Sequence, residues 1–572
     1  MTEISDKIVA IPNMSVEPSV GTKQSNTHRQ RSLGLLAWLL PSISDVLFLA
    51  LLGFALGARS HQLFNTDGDL GRHIAVGRQI LADRAIPTID LFSHTMAGEP
   101  FVPYEWLSEV IYALTYQQLG YGGIAVLAAS LAALPFLLLA RWMVRDGSNI
   151  FLVIFLVTIG ALAASIHWLA RPHLFTILLA LLWTRSLQNY RASGRLRYLV
   201  ALPPMMIAWV NLHGGFLVGF VILIVFALSS AVEGLVMGAE RTENNTRHSI
   251  RDTRNLAVAG AISLVAVGLN PSGFAVLPHV LSYFQYRFLV NNTMEYLSPN
   301  FHNLGPQLFA CLILLSIVAM AFTSRRQSIT DVALLAVWIA FSLFSARNIP
   351  LFVVICLPFI GRVASEALGN MHLLTPAWID KKLETPQTLV GVPQTRRYLS
   401  EQRSANLLEK DGARPSLAAV LSATDQLLGR PLLPVLGIAL AFWLTVGGIG
   451  ANHVDVGFDE RKFPIQALEQ AEELGVRGNL FNYFPWGGYI LYAGYPKYRV
   501  FIDGQTDFYG EELTKDYLKV ARLEPEWHEV LDRYQIGWVL FPHQSPLSLM
   551  LARTPGWQLA YQDETSDLFI RN

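Results

Sequence analysis

Repeated apolar runs of about 20 residues constrain this chain more than any other feature of its sequence. Their predicted positions are about 34–57, 121–144, 149–167, 173–190, 198–213, 215–238, 255–270, 306–323, 331–347, 350–367 and 431–450. A helix of this length crosses a hydrocarbon core of about 30 Å. Only 15% of the residues are charged, against about 25% in soluble domains. The fold class predicted is a polytopic α-helical membrane protein with about eleven transmembrane helices.

The distribution of Lys and Arg predicts how these helices are oriented. Basic residues collect in alternate connections, for example Arg191, Arg195 and Arg197 in a single loop. Such residues mark the cytoplasmic side of membrane proteins. The N terminus is therefore predicted to be cytoplasmic and the C-terminal part extracytoplasmic, in the inner (plasma) membrane of a bacterium. The formal net charge is +0, so no nucleic-acid partner is expected.

Polar segments divide the predicted membrane protein into three parts. Residues 1–33 are predicted to be a disordered cytoplasmic tail. Residues 34–450 are predicted to form the transmembrane domain, with an extracytoplasmic first loop at 58–106 and a cytoplasmic loop at 368–430. Residues 451–572 have a soluble composition in which helical patterns alternate with short apolar runs that are typical of strands. They are predicted to form an extracytoplasmic α/β domain.

The first loop is unusually long, because most connections between secondary-structure elements are short. It contains Asp67 and Asp69 beside a predicted helix start, and His73 follows one helical turn later. Two carboxylates and an imidazole can hold a divalent metal, Mg²⁺ or Mn²⁺, and the imidazole favours Mn²⁺. The carboxylates can instead act as a general base on a hydroxyl acceptor. A purely structural turn, with Asp69 favoured by the helix dipole, is the alternative.

Further ionisable residues lie at the predicted outer ends of the membrane helices. They are Arg171, His173, His213 and Arg347. Ionisable groups at membrane depth are costly and commonly face a functional cavity. Arg and His there can bind a phosphate and offset its charge as it leaves. Each residue alone can also be a helix cap, an interhelical hydrogen-bond partner or an interfacial anchor. Because all four are predicted on the same, outer side of the membrane, they predict one cleft in the outer leaflet.

The segment TDGDLGRHIAVGRQILADRAIPTIDLFS at 66–93 resembles the first-loop motif of GT-C superfamily glycosyltransferases. Those multispan enzymes use sugars linked to polyprenyl phosphate, and an acidic motif in the first outer loop supplies the base or a metal ligand. Asp67 and Asp69 match that acidic pair, and His73 falls on the helix that follows. The resemblance implies a GT-C-like fold and a polyprenyl-phosphate sugar donor. It does not identify the acceptor, which can be a glycan or a protein.

A second segment, at 481–510, is similar to part of the soluble domain of oligosaccharyltransferase catalytic subunits. Their Trp-Trp-Asp-Tyr-Gly signature is replaced here by PWGGY at 485–489, so recognition of an acceptor sequon is not implied. Trp486 and Tyr489 can stack on a sugar or contact another domain, or they can be core aromatics that anchor a tight turn. Asp503 follows a predicted strand and can contribute to the same site or simply form a turn.

Together these patterns predict an inverting membrane glycosyltransferase of the cell envelope. The predicted catalytic residues and tentative metal ligands are Asp67, Asp69 and His73. The residues predicted to bind the donor phosphate are Arg171, His173, His213 and Arg347. One alternative is a non-catalytic transporter or assembly partner in polysaccharide export, although the internal repeats typical of transporters are not evident in the sequence. Another is a metal-independent transferase that uses the outer Arg and His alone.

Overall fold

Most of the described chain is α-helical. The computed structural model describes residues 41–66, 68–238, 243–282, 296–371, 417–428, 432–446 and 457–572. The helices up to residue 446 are α1 (Ile43–Leu56), α2 (Ser60–Asn65), α3 (Asp69–Asp83), α4 (Trp106–Arg145), α5 (Ile150–Ala164), α6 (His173–Ser193), α7 (Arg197–Val200), α8 (Leu202–Leu212), α9 (Leu217–Gly238), α10 (Glu243–Val267), α11 (Val276–Ser282), α12 (Leu304–Ala321), α13 (Ile329–Phe344), α14 (Ile349–Met371), α15 (Leu417–Leu428) and α16 (Leu432–Val446). The predicted tail, Asp67, most of the predicted cytoplasmic loop and the predicted boundary at 450 lie outside the described residues.

Several helices have the length and composition of membrane spans. Within the described ranges, five segments are long and apolar enough to cross a membrane: Trp106–Arg145, Ile150–His167, Gly214–Leu235, Leu304–Ala321 and Ala346–Asn370. Shorter apolar helices include α1, α13 and α16. Apolar runs of this kind become helices because lipid offers no hydrogen-bond partner to the backbone. The predicted fold class, a polytopic helical membrane protein with a C-terminal α/β domain, is confirmed, and the number of spans stays a prediction.

Helix α4 joins the first loop to the membrane domain. The sequence pattern predicts an amphipathic helix at 106–119 and a separate span from 121, and the two are continuous except at Gly120. Gly120 has φ 60° and ψ −159°, a conformation that residues with a Cβ rarely adopt. The first part of α4 packs on α3, and the remainder lies in the core of the membrane domain. Side chains at the start of α4 are therefore held at one end of a long, buried helix.

The C-terminal domain is built on a four-stranded sheet. Its strands are β1 (Asn479–Asn482), β2 (Ile536–Pro542), β3 (Trp557–Gln562) and β4 (Ser566–Arg571). They are ordered β1-β2-β4-β3, with β1 parallel to β2 and the other pairs antiparallel. The domain's helices are α17 (Ile465–Glu473), α18 (Gly487–Gly494), α19 (Thr506–Ala521), α20 (Trp527–Arg533) and α21 (Pro546–Leu551).

The first loop and the C-terminal domain share backbone hydrogen bonds and a hydrophobic core. The sequence pattern predicts a strand at 499–502, but Val500 forms only an isolated parallel bridge, to Ser93 of the first loop. The backbone N–H of Val500 donates to Phe92 O at 3.2 Å. Val76 and Ile80 of α3 pack in one cluster with core residues of the C-terminal domain. The loop and the domain are therefore one folded unit, although 344 residues (107–450) separate them along the chain.

Glycines bring α3 and α18 together at backbone distance. The Gly68 N–H donates to Pro485 O at 3.1 Å. A Cβ on Gly71 would lie 2.5 Å from Gly488 O, so a larger residue does not fit there. Gly488 thus provides the surface on which the N terminus of α3 rests, and this contact positions the polar residues that α3 carries.

We expect Gly71→Ala to destabilise the protein, because the new Cβ would overlap Gly488 O. Overpacking of this kind costs about 1–3 kcal/mol, which should lower the thermal unfolding temperature in detergent. Gly53→Ala in α1 is the matched control, since a Cβ at Gly53 meets nothing within 4 Å. Equal unfolding temperatures for the two variants would contradict a tight contact between α3 and α18.

Candidate functional site

A buried arginine connects three parts of the protein: the first loop, α4 and the C-terminal domain. The Arg72 side chain projects from α3 and is 5% exposed. Its Nη1 lies 3.2 Å from Glu109 Oε1 on α4, and its Nε lies 3.6 Å from Asp503 Oδ2 in the C-terminal domain. Its Nη2 also donates to Gln505 Oε1. Burial alone would lower the pKa of Arg72, but the charges of Asp503 and Glu109 outweigh burial and raise it, so the guanidinium stays charged.

Beside Arg72, an imidazole and two glutamates form a compact polar cluster. His73 Nδ1 lies 3.5 Å from Glu109 Oε1 and 3.9 Å from Glu105 Oε2. One ligand atom from each of the three side chains lies within 4.8 Å of the others, so the group could hold a metal ion. Glu105 and Glu109 are four residues apart at the start of α4 and therefore share a face of that helix.

The cluster has unusual proton affinities because it is buried and rich in carboxylates. Burial, with the nearby charge of Glu109, raises the pKa of Glu105 to about 8, although Arg72 and Arg347 oppose the rise. At pH 7 Glu105 is therefore mostly protonated. Burial lowers the pKa of His73 and raises the pKa of Asp503. Burial thus shifts each of these three groups towards its neutral form, because a charged group loses its hydration there.

His213 lies on the opposite side of Glu105 from His73. Its Nε2 is 3.5 Å from Glu105 Oε1. The Gly215 N–H donates to His213 Nδ1 at 2.9 Å, so Nδ1 is an acceptor and the ring proton of neutral His213 is assigned to Nε2. Thr176 Oγ1 lies 2.9 Å from the same Nδ1. His213 thus directs an N–H towards Glu105, and its contact with the donor phosphate stays a prediction.

A second group of predicted site residues surrounds Asp69. Asp69 Oδ2 lies 3.2 Å from Arg171 Nη1, and both side chains are partly exposed. His173 Nε2 donates to His167 O at 2.7 Å. Arg347 donates to the Tyr296 hydroxyl and stacks on its ring, and its charge acts on both Glu105 and His173. The predicted residues Asp69, His73, Arg171, His173, His213 and Arg347 therefore gather in one region.

The C-terminal residues singled out in the sequence are buried parts of this region. Trp486 and Tyr489 are 3% and 6% exposed. Trp486 Nε1 donates to Lys462 O at 2.6 Å, and the Tyr489 ring packs against Phe458. These two aromatics thus have the environment expected of core side chains. Asp503 contacts Arg72, so it joins the C-terminal domain to the first loop.

Another carboxylate from the C-terminal domain fixes the residue before Glu105. Asp507 Oδ2 accepts a hydrogen bond from the Tyr104 hydroxyl at 3.2 Å. His279 Nε2, from α11, lies 3.0 Å from the same oxygen. Arg72, Glu109 and His279 were not among the residues that the sequence pointed to. The one sequence feature that could have indicated this cluster is the four-residue spacing of Glu105 and Glu109 at a helix start. That spacing is weak evidence, because charged residues on amphipathic helices are ordinarily solvated.

Comparison with known proteins finds only distant structural likeness. Neither a protein-family model nor a curated protein matches the chain. The oligosaccharyltransferase AglB of Archaeoglobus fulgidus, solved with an inhibitory peptide and a dolichol-phosphate, is 11% identical with a TM-score of 0.49 over 95% of this chain and 74% of AglB. ArnT of Cupriavidus metallidurans bound to undecaprenyl phosphate is 16% identical with a TM-score of 0.45 over 92% of this chain and 97% of ArnT. At such low identity and TM-score, the likeness assigns no activity or residue role to this chain.

We expect Arg72→Met to lower the unfolding temperature strongly, because Glu109 and Asp503 would lose the guanidinium that they share. Removing one partner of a buried ion pair typically costs about 3–5 kcal/mol. Thermal unfolding in detergent measures the effect. Lys515→Met is the control, since Lys515 pairs with Glu511 on an exposed surface and such pairs contribute little. An Arg72→Met protein as stable as the Lys515→Met protein would show that the buried pair does not hold the domains together.

Proposed function

We propose that the protein is an inverting membrane glycosyltransferase with a polyprenyl-phosphate sugar donor and an extracytoplasmic acceptor. The supporting observation is the 3.2 Å contact between Asp69 and Arg171. The sequence assigned these residues separately to activation of the acceptor and to binding of the donor phosphate. Both roles serve one anomeric carbon, which the acceptor oxygen attacks as the phosphate oxygen leaves. The two side chains must therefore line one site, and their contact supports this.

The donor phosphate is proposed to bind between Arg171 and Arg347, with His173 beside them. His173 begins α6, Arg171 lies two residues before it, and Arg347 lies two residues before α14. A polyprenyl phosphate would place its headgroup there if these ends face the outer surface. Guanidinium groups form strong, charge-assisted hydrogen bonds to phosphate. Because the phosphate gains negative charge as its bond to the sugar breaks, these contacts strengthen during the reaction.

The acceptor hydroxyl is proposed to lose its proton to Asp69, with Asp67 next to it in the first loop. The acceptor oxygen forms the new bond to the anomeric carbon, the bond to the phosphate oxygen breaks with its electron pair, and polyprenyl phosphate leaves. A single displacement of this kind inverts the anomeric carbon. Arg171 contacts Asp69, and its charge favours the ionised carboxylate that a base requires. His213 and Glu105 form the adjacent wall of the site.

The proposed cellular setting is the inner membrane of a bacterium, with the N terminus in the cytoplasm and the site on the outer side. The alternative is a non-catalytic transporter or assembly partner for polysaccharide export. Transporters commonly place ionisable residues at broken helices near the bilayer midplane. In this protein the described site residues lie at helix ends and on α3, which favours chemistry at the membrane surface.

Asp69→Asn should leave the lipid donor bound but abolish its use. An amide cannot accept the acceptor proton, and loss of a general base typically slows a reaction about 10²–10⁴-fold. Lipid extracts of the purified protein, examined by mass spectrometry, should contain a polyprenyl-phosphate sugar in wild type and variant alike. Transfer of that sugar by isolated membranes should be lost only in the variant. Full transfer by the Asp69→Asn protein would overturn the assignment of the base.

Arg171→Met should instead reduce the amount of lipid that co-purifies. Loss of a hydrogen bond to a charged group typically costs about 1.5–3 kcal/mol, so a decrease of about ten-fold or more is expected in polyprenyl-phosphate sugar per protein. Arg185→Met is the matched control, because Arg185 lies near the other end of the same helix and pairs with Asp146. Absence of any polyprenyl-phosphate sugar from the wild-type extract, in several detergents, would favour the transporter.

A further inference from the structure

We propose that His73, Glu105 and Glu109 bind one divalent metal cation, Mn²⁺ or an ion of similar preference, at the outer end of α4. The proposed ligands differ from the sequence-based set, which combined His73 with Asp67 and Asp69. The site adds a cofactor to the proposed transferase, but its geometry is independent of sugar transfer. Four observations on the described residues support it. They are the distances between the ligand atoms, the buried atoms that lack a hydrogen-bond partner, the orientation of the carboxylates and the net charge of the group.

The spacing of the three side chains suits a small cation. Bonds from oxygen or nitrogen to such an ion are about 2.1 Å long, so two ligand atoms can lie up to about 4.2 Å apart. His73 Nδ1 is 3.5 Å from Glu109 Oε1 and 3.9 Å from Glu105 Oε2. All three ligand atoms lie within 4.8 Å of one another, so a small inward movement of one side chain would complete the set.

Two atoms of the cluster are buried without a hydrogen-bond partner among the described residues. They are His73 Nδ1 and Glu109 Oε2, and their residues are 5% and 1% exposed. Buried polar atoms are nearly always paired, and an unpaired one in a native site calls for a missing partner such as an ion. A cation between the side chains would satisfy both atoms at once.

In each glutamate, one oxygen contacts a residue outside the cluster. Glu105 Oε1 faces His213 Nε2 at 3.5 Å, whereas its Oε2 faces His73. Glu109 Oε1 faces both Arg72 at 3.2 Å and His73 Nδ1 at 3.5 Å, whereas its Oε2 has no partner among the described residues. Carboxylates that bind metals are commonly oriented by such outer hydrogen bonds. The arrangement therefore prepares both carboxylates as ligands.

Charge also favours a divalent cation here. Glu109 and Asp503 contact the single guanidinium of Arg72, and Glu105 lies within reach of its field. When Glu105, Glu109 and Asp503 are all ionised, the single guanidinium leaves two negative charges that either protons or a cation must offset in a buried site. A divalent cation balances that excess. One imidazole with two carboxylates favours Mn²⁺ over Mg²⁺ or Ca²⁺, which prefer all-oxygen sites.

The test is a titration of the purified, full-length protein in detergent with Mn²⁺ after treatment with a chelator. Electron paramagnetic resonance should show one saturable Mn²⁺ site, and pulsed measurements should show coupling to one imidazole nitrogen. Glu105→Gln should weaken binding by at least about ten-fold, an effect that even outer partners of metal ligands produce. His73→Gln should remove the nitrogen coupling. Glu105 is partly exposed, so its variant tests the site even if the His73 variant does not fold.

Two control variants separate this site from other acidic groups. Asp69→Asn should bind Mn²⁺ like the wild type, since the carboxylate of Asp69 pairs with Arg171 outside the cluster. Glu99→Gln, an exposed change in the same loop, should also have no effect. A wild-type protein without saturable Mn²⁺ binding or without the nitrogen coupling would overturn the proposal. So would weaker binding by the Asp69→Asn protein together with normal binding by the Glu105→Gln protein. Mn²⁺ binding without a lipid donor would leave the metal site standing and contradict only the transferase.

Discussion

The buried guanidinium of Arg72 is the contact on which the arrangement of the site depends. It joins Glu109 of a membrane helix to Asp503 and Gln505 of the C-terminal domain, while its own helix belongs to the first loop. A charge that is 5% exposed is costly unless carboxylates surround it. Three segments that are distant in the sequence are thereby held in one relative position. The orientation of His73, the next residue on α3, follows from that position.

Close backbone packing makes this contact possible. Gly71 of α3 meets Gly488 of α18 with no room for a Cβ, and Val76 of α3 lies in the core of the C-terminal domain. The first loop is thus folded as part of that domain and carries its polar residues to the ends of the membrane helices. The Gly-Gly pair acts through packing, and the flanking Trp486 and Tyr489 are core side chains.

The electrostatics of the site follow from the same packing. Carboxylates from the first loop, from α4 and from the C-terminal domain converge in one place, where they outnumber the described guanidinium groups. Because the carboxylates are buried, water does not hydrate their charges. The pKa of Glu105 rises to about 8 for this reason. A site of this kind can accept a proton or a cation. In the neighbouring pair, Asp69 can accept the proton of a hydroxyl and Arg171 can bind a phosphate. The proposed cation site and the proposed phosphate site are therefore neighbours at one end of the helices.

The sequence by itself determined the apolar helices, the α/β character of the C-terminal part and the importance of the first loop, because hydrophobic periodicity and composition are local properties. It also selected Asp69 and Arg171, which lie in contact, through their position at predicted helix ends. Only the tertiary structure decided that His73 faces Glu105 and Glu109 and that Arg72 is buried. In the sequence of a single amphipathic helix, the residues around a buried arginine show the same apolar and polar periodicity as those around a solvated arginine. The difference arises from α4 and the C-terminal domain, whose approach to α3 depends on long-range packing that no local pattern records.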